Sequence, residues 1–269
     1  MKRLQKIFLV TALISTTTFI SCELFEDVTG PLPLTDAEIV EGLKEALSIG
    51  LDNSVTSASS VNGYLENEII KILLPEEVVE VQNKIQTESV LGIPLTTVYD
   101  VYTTVENNGN DLFSELTTAM NKGAESAASK ALPIFANAIT SMSFSDALGI
   151  LEGGETAATD YFFEQTNVAL FTAFNPEVKT ALDATGANQI YTTTVGFLNY
   201  EYDPTGLGLS VISPADVINV NLPASIDEYA TNKAIDGLFY LIGEEEKKIR
   251  DDPFAWASSI IEKVFGSQK

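Results

Sequence analysis

Few residues in this 269-residue chain could do chemistry at neutral pH, because it holds no histidine and one cysteine. That absence removes Ser-His-Asp triads, Cys-His dyads, zinc sites of the His/Cys type and histidine-ligated haem. Carboxylates, Lys, Tyr, Ser and Thr remain. The most suggestive of them is Glu245. Ile235, Leu238, Ile242, Glu245 and Ile249 recur three or four residues apart, which sets Glu245 in line with the apolar stripe of a helix. A carboxylate on such a stripe must find hydrogen-bond donors or become harder to ionise, since burial penalises its charged form. Its partner is either structural, a helix N-terminus or a lysine such as Lys122, or functional. In the functional case Glu245 joins Glu155, Asp160 or Asn121 in a ligand-binding or proton-handling site. Paired carboxylates can hydrolyse glycosides, but the separation this needs is not written in sequence spacing. No residue is therefore assigned a catalytic role.

A second candidate is "GILEGGETAATDYF", residues 149–162. A phosphate loop would need a preceding strand and a Lys-Ser or Lys-Thr pair after the glycines, whereas the segment before is helical and the residues after are Glu155 and Thr156. The expected structure is a joint, with Gly153 and Gly154 ending one helix in the left-handed conformation and Glu155 beside the N-terminus of the next. No acidic segment matches the twelve-residue calcium-loop pattern, so neither a metal nor a cofactor is expected. The aromatic run 161–163 and Trp256 are expected in the core rather than as a sugar platform.

The cysteine has a clearer role. Lys2, Arg3 and Lys6 precede the apolar run "IFLVTALISTTTFI", which ends in "FISC" at 19–22. A basic start, a short apolar segment and a small residue before the break have the form of a secretory signal. The four residues resemble a bacterial lipobox, in which the cysteine is diacylated and becomes the mature N-terminus. Cys22 has no second cysteine to pair with, and acyl chains contribute about 0.8 kcal/mol per buried methylene. The expected organisation is a signal peptide over 1–21, a lipidated cysteine and acidic, proline-containing tether over 22–34, and one domain over 35–269. Removing 21 residues of 269 leaves 248 and, with Lys2, Arg3 and Lys6 gone, shifts the formal charge from −23 to −26. So acidic a surface disfavours nucleic acid and anionic headgroups and favours cationic partners.

The elements that must position these groups are helical. "Thr35-Asp36-Ala37-Glu38" has the form of a capping box ahead of a helix to the high fifties; Ser-, Asn- and Gly-rich 54–64 is expected as loop. "EEVVEVQNKI" after Pro75 predicts a helix, and 88–110 is ambiguous between strand and buried helix. From Asp111, Leu112, Leu116, Met120, Gly123, Ala127 and Ala131 keep one face, and Pro133 opens the next helix. Ser143 starts a short one. A central helix through Phe162 and Phe174 follows, apolar on several sides, and "Asn175-Pro176" is expected to open another. Residues 199–224 form a long excursion. "Ser225-Ile226-Asp227-Glu228" predicts a second capping box and a helix to Asp251, and "Asp252-Pro253" the last helix, closed by Gly266. In the run at 244–250, Glu244 is expected to face Lys248 and Glu246 to face Arg250.

With the helices placed, several blocks resemble the bacterial family catalogued as domain of unknown function 4197. They are "GLKEAL" (42–47), "MNKGAESAASKALPIFANAITSMSFSDALGILEGGETAATDYF" (120–162), "FNPEVKTAL" (174–182), "DEYATNKAIDGLFYLIGEEEKKIRDDP" (227–253) and "KVFG" (263–266). The resemblance implies an exported all-helical domain with no assigned activity, cofactor or catalytic residue. Segments 86–110 and 201–222 look longer than the family's pattern. The combined expectation is an all-α, multi-helix globular domain behind a lipoprotein signal peptide, attached to a membrane of the bacterial envelope by its lipid and binding or scaffolding an envelope protein. Glu23 in place of an Asp after the cysteine points to the outer membrane, with the periplasmic or surface face open. The alternatives are a carboxylate-dependent hydrolase centred on Glu245 and a carrier of an apolar ligand between helices. Converging acids in a cleft would favour the first and an open interhelical cavity the second. A packed interior with an exposed apolar patch would favour the scaffold.

Overall fold

Helix follows helix in the computed structural model, which describes residues 34–184, 186–208 and 211–266. The signal segment, Cys22 and the tether up to residue 33 lie outside the described residues. From Leu34 onward the described chain forms one contact unit.

Helix α1 (Asp36–Ser59) opens on the expected capping box: the Thr35 hydroxyl accepts the Glu38 N–H at 3.3 Å while the Glu38 carboxylate accepts the Thr35 N–H at 2.9 Å. It runs further than the Ser/Asn composition suggests. Ser54, Val55 and Ala58 are buried, and Ser54 satisfies its hydroxyl on the Gly50 carbonyl one turn back. After α2 (Glu76–Thr87), the ambiguous segment resolves into two parts. A two-residue hairpin pairs β1 (Ser89–Val90) with β2 (Ile93–Pro94), antiparallel, Val90 opposite Ile93; Leu91 and Gly92 turn it with φ of 51° and 81°. Helix α3 (Leu95–Glu106) follows, burying Leu95, Val98, Tyr99 and Tyr102. That spacing is helical, so burial outweighs the β-branched composition.

Asp111 caps α4 (Leu112–Ala128) through the Ser114 N–H, and the face seen in sequence is buried. A short 3-10 turn leads into α5 (Leu132–Ser141), with Pro133 in its first turn. Helix α6 (Phe144–Leu151) starts at a Ser143–Asp146 capping box. The joint after it behaves differently from expectation, because neither Gly153 nor Gly154 has a positive φ. Gly153 is there for proximity: a Cβ on it would lie 2.5 Å from the Ala157 Cβ and 2.9 Å from the Gly149 carbonyl oxygen.

Helix α7 (Ala157–Ala184) runs through Pro176 instead of restarting there. Ala158, Phe162, Thr166, Leu170, Phe174, Val178 and Leu182 are buried, every fourth residue for the whole length. This continuous stripe outweighs the one N–H that proline removes. Asn175 does not cap; its amide donates to the Thr231 hydroxyl at 3.3 Å. The helix is apolar on several sides, but the sides differ: Phe163 and Val168 face solvent. Helix α8 (Ala187–Leu198) and the expected excursion follow, the latter tied by a bridge between Tyr202 and Ile212.

Helix α9 (Asp227–Asp251) has no capping box. Ser225 accepts the Asp227 N–H at 3.2 Å, and the residue preceding the helix, Ile226, offers no side-chain cap. Asp252-Pro253 begins a 3-10 turn rather than a helix, and α10 (Ser259–Gly266) starts six residues after the proline, where Ser258 accepts the Ile261 N–H at 3.4 Å.

Helices α7 and α9, α4 and α7, and α1 and α9 are the most extensively packed pairs. A small residue sets one of these distances: a Cβ on Gly123 would meet the Leu182 side chain at 3.2 Å, whereas one on Gly50 would make only an ordinary contact with the Glu245 Cβ, at 3.5 Å. No helix among the described residues is long and apolar enough to cross a membrane alone.

Candidate functional site

The stripe on α9 is wider than a single row, because the helix is packed by α1 on one side and by α7 on another. Successive residues on a helix are about 100° apart, so Glu245 and Glu246 address different neighbours. Glu245 points to α1, where Asn53 donates to its Oε2 at 3.0 Å, and its Oε1 takes Lys248 at 2.6 Å. Lys122 is not its partner. The deeply buried acid is the next one: Glu246 is 7% exposed.

Glu246 sits against the first turn of α7. Its Oε1 accepts the Ala158 N–H at 2.9 Å, and its Oε2 accepts both the Thr159 N–H at 2.9 Å and the Thr159 hydroxyl at 2.8 Å. These N–H groups have no partner within their own helix, and the positive end of the helix favours the carboxylate. Arg250, one turn on, donates to the same Oε1 from Nε at 3.0 Å and from Nη2 at 2.8 Å. Its Nη2 also reaches the Ile150 carbonyl at 2.7 Å and its Nη1 the Leu151 carbonyl at 3.4 Å, closing the C-terminus of α6. The guanidinium lies 5.9 Å from the Phe265 ring centroid, within cation–π range. One ion pair on α9 thus caps the end of one helix and the start of the next, and the joint at 152–156 is held from both sides. The adjoining void, bordered by Leu47, Glu246 and Phe265, is about 20 Å³, room for about one water.

This arrangement suits positioning better than chemistry. A carboxylate offers about four lone-pair sites, and five donors already occupy those of Glu246.

Of the four residues singled out by sequence, Asn121, Asp160 and Glu245 each bond to other groups, and Glu155 is exposed. Asn121 is fully buried in α4, accepting the Ile72 N–H and donating to the Ile72 and Thr117 carbonyls, each at 2.8 Å; it pins the chain between α1 and α2. Glu155 is exposed in the joint. Its field, after the stronger hydrogen bond and charge of Glu244, helps raise the Lys247 ammonium above its ordinary value. Asp160 is exposed and takes the Thr156 hydroxyl at 3.4 Å. Glu245 lies toward α1, as above. The charge ladder also differs from expectation: Glu244 pairs with Lys247 and Glu245 with Lys248, three residues apart, while Glu246 keeps Arg250 at four. Among the described residues, no three of His, Cys, Asp and Glu gather as metal ligands.

Fold and site together define an all-α domain in which a buried ion pair joins helix ends. The family model for a protein of unknown function, DUF4197, matches residues 33–266, and the chain belongs to that family. No curated protein and no solved structure matches it.

Proposed function

We propose that this protein is held on a membrane of the bacterial envelope by an acylated Cys22, and that its helical domain binds or scaffolds an envelope protein. The observation that carries the anchor is "FISC" behind a basic, then apolar, leader with no other cysteine in the chain. What supports a binding domain over an enzyme is the saturated state of its buried acid and the separate engagements of Asn121, Asp160 and Glu245. The void of about 20 Å³ beside the Glu246–Arg250 pair has room for about one water and none for a ligand. Glu23 after the cysteine favours the outer membrane.

Cys22→Ala tests the anchor. The variant should leave the membrane fraction and cease to incorporate labelled palmitate; equal labelling of variant and parent would defeat the assignment. Chemical cross-linking in intact cells tests the binding role, with a discrete adduct expected for the parent chain and none expected if the domain is a self-sufficient enzyme.

A further inference from the structure

The two longest helices leave an uncovered trough between them. On the α7 side Phe163 is 46% and Val168 76% exposed, and Phe171 lies partly buried one turn beyond Asn167. On the α9 side are Asn232, Ile235 and Asp236, and the buried Phe239 has its ring 5.2 Å from that of Phe163 and edge-on to it. The hollow is about 360 Å³, and helices of 28 and 25 residues border it. Grooves between paired helices accept the side-chain ridges of a third helix.

The charges around the trough set the sign of what fits. Asp160, Glu164 and Val168 occupy one row of α7 at four-residue spacing, and Asp236, Tyr240 and Glu244 the matching row of α9. Lys233 and Lys247 are nearby, but each already holds an acid, Asp236 at 3.1 Å and Glu244 at 2.8 Å. Asp160 and Glu164 are left uncompensated by these two pairs, on a chain of formal charge −23 before any processing. A second copy would bring the same acids against themselves, and an anionic lipid surface would be repelled. We propose that this trough receives an amphipathic helix whose apolar face is flanked by lysine or arginine. The inference rests on the binding role proposed above and names the chemistry of its partner.

Binding of a labelled Leu/Lys amphipathic helix, about 18 residues long, to the full chain tests it by fluorescence anisotropy. A peptide of the same composition in scrambled order, without an apolar face, measures plain charge attraction. The amphipathic peptide should bind at least about tenfold more tightly than the scrambled one. Val168→Glu should weaken it by a similar factor, although the added negative charge would strengthen non-specific attraction. Ile69→Glu makes the same charge change at a 66% exposed site elsewhere and should leave binding within about twofold. Equal binding of both peptides would overturn the proposal, as would unchanged or tighter binding to the Val168→Glu chain. A dimer of the parent chain in sedimentation that Val168→Glu dissolves would also overturn it, assigning the trough to a second copy. A cellular adduct that survives Val168→Glu would leave the binding role standing while this inference fails.

Discussion

Replacing Glu246 should cost far more than replacing its neighbour Glu245, although the two are adjacent on one helix and chemically identical. In Glu246→Ala the Ala158 and Thr159 N–H groups lose their acceptor, and Arg250, whose side chain is 15% exposed, loses its counter-charge. Removing one partner of a buried ion pair costs about 3–5 kcal/mol, a large share of the roughly 5–15 kcal/mol that holds a domain folded. Glu246→Gln keeps one carbonyl but turns an NH₂ toward donors, so the loss should be about 1–3 kcal/mol. Glu245→Gln disturbs a bond to Asn53 and a pair with Lys248, whose side chain is 63% exposed; the expected cost is about 0–1 kcal/mol. Urea unfolding followed by far-ultraviolet circular dichroism should rank the three variants in that order with similar slopes. A Glu246→Ala loss below about 1 kcal/mol, or a Glu245→Gln loss as large as that of Glu246→Gln, would refute the argument that the α6–α7 joint is held from α9.

Asn121→Ala should leave the Ile72 N–H and C=O unpaired, at about 1–3 kcal/mol for each group, and amide exchange at Ile72 should accelerate; unchanged protection there would contradict the clamp. Glu38 is held down to about 2 from 4.5 by its hydrogen bond to Lys263 and by the Thr35 donors. Its contribution to stability is therefore complete above pH 4.5 and lost as pH falls toward 2, so the stability difference between parent and Glu38→Gln should shrink over that window in acid titration. A constant difference would remove Glu38 as the titrating group. Ser225→Ala should cost no more than the low end of the roughly 0.5–2 kcal/mol of a helix cap, because Ser225 serves one N–H and no reciprocal bond forms; a midpoint shift equal to that of Ser143→Ala, which breaks a complete box, would argue otherwise.

What could be foreseen from sequence was mostly what is local. Thr35 with Glu38, Asp111, and Ser143 with Asp146 announce helix starts because cap and capped group lie three residues apart. The apolar face of α4 is equally plain. Pro176 misleads because the local rule for proline is outvoted by a stripe of contacts from α4 and α9 that only tertiary structure supplies. Segment 95–106 is ambiguous because Val, Thr and Tyr suit strands, and the decision comes from what Leu95 and Tyr102 meet. At Glu245 the stripe was legible and its width was not. With helices on two sides of α9, the acid one residue later is the buried one, and its donors, Ala158 and Thr159, stand 88 and 87 positions away. A partial signal existed: a buried acid was expected to seek a helix N-terminus, and one does.

That distance has a consequence for how the chain acquires its shape. The corner between α6 and α7 is fastened by residues made nearly a hundred positions later, and α1 meets Glu245 across 192 positions. Contacts so remote in the chain form after costly loop closure and slow the final assembly. Until α9 is in place, the end of α6 lacks the Arg250 guanidinium and the start of α7 lacks the Glu246 carboxylate. The α6–α7 corner is therefore among the last parts of the fold to be secured, because both of its fastenings wait on α9.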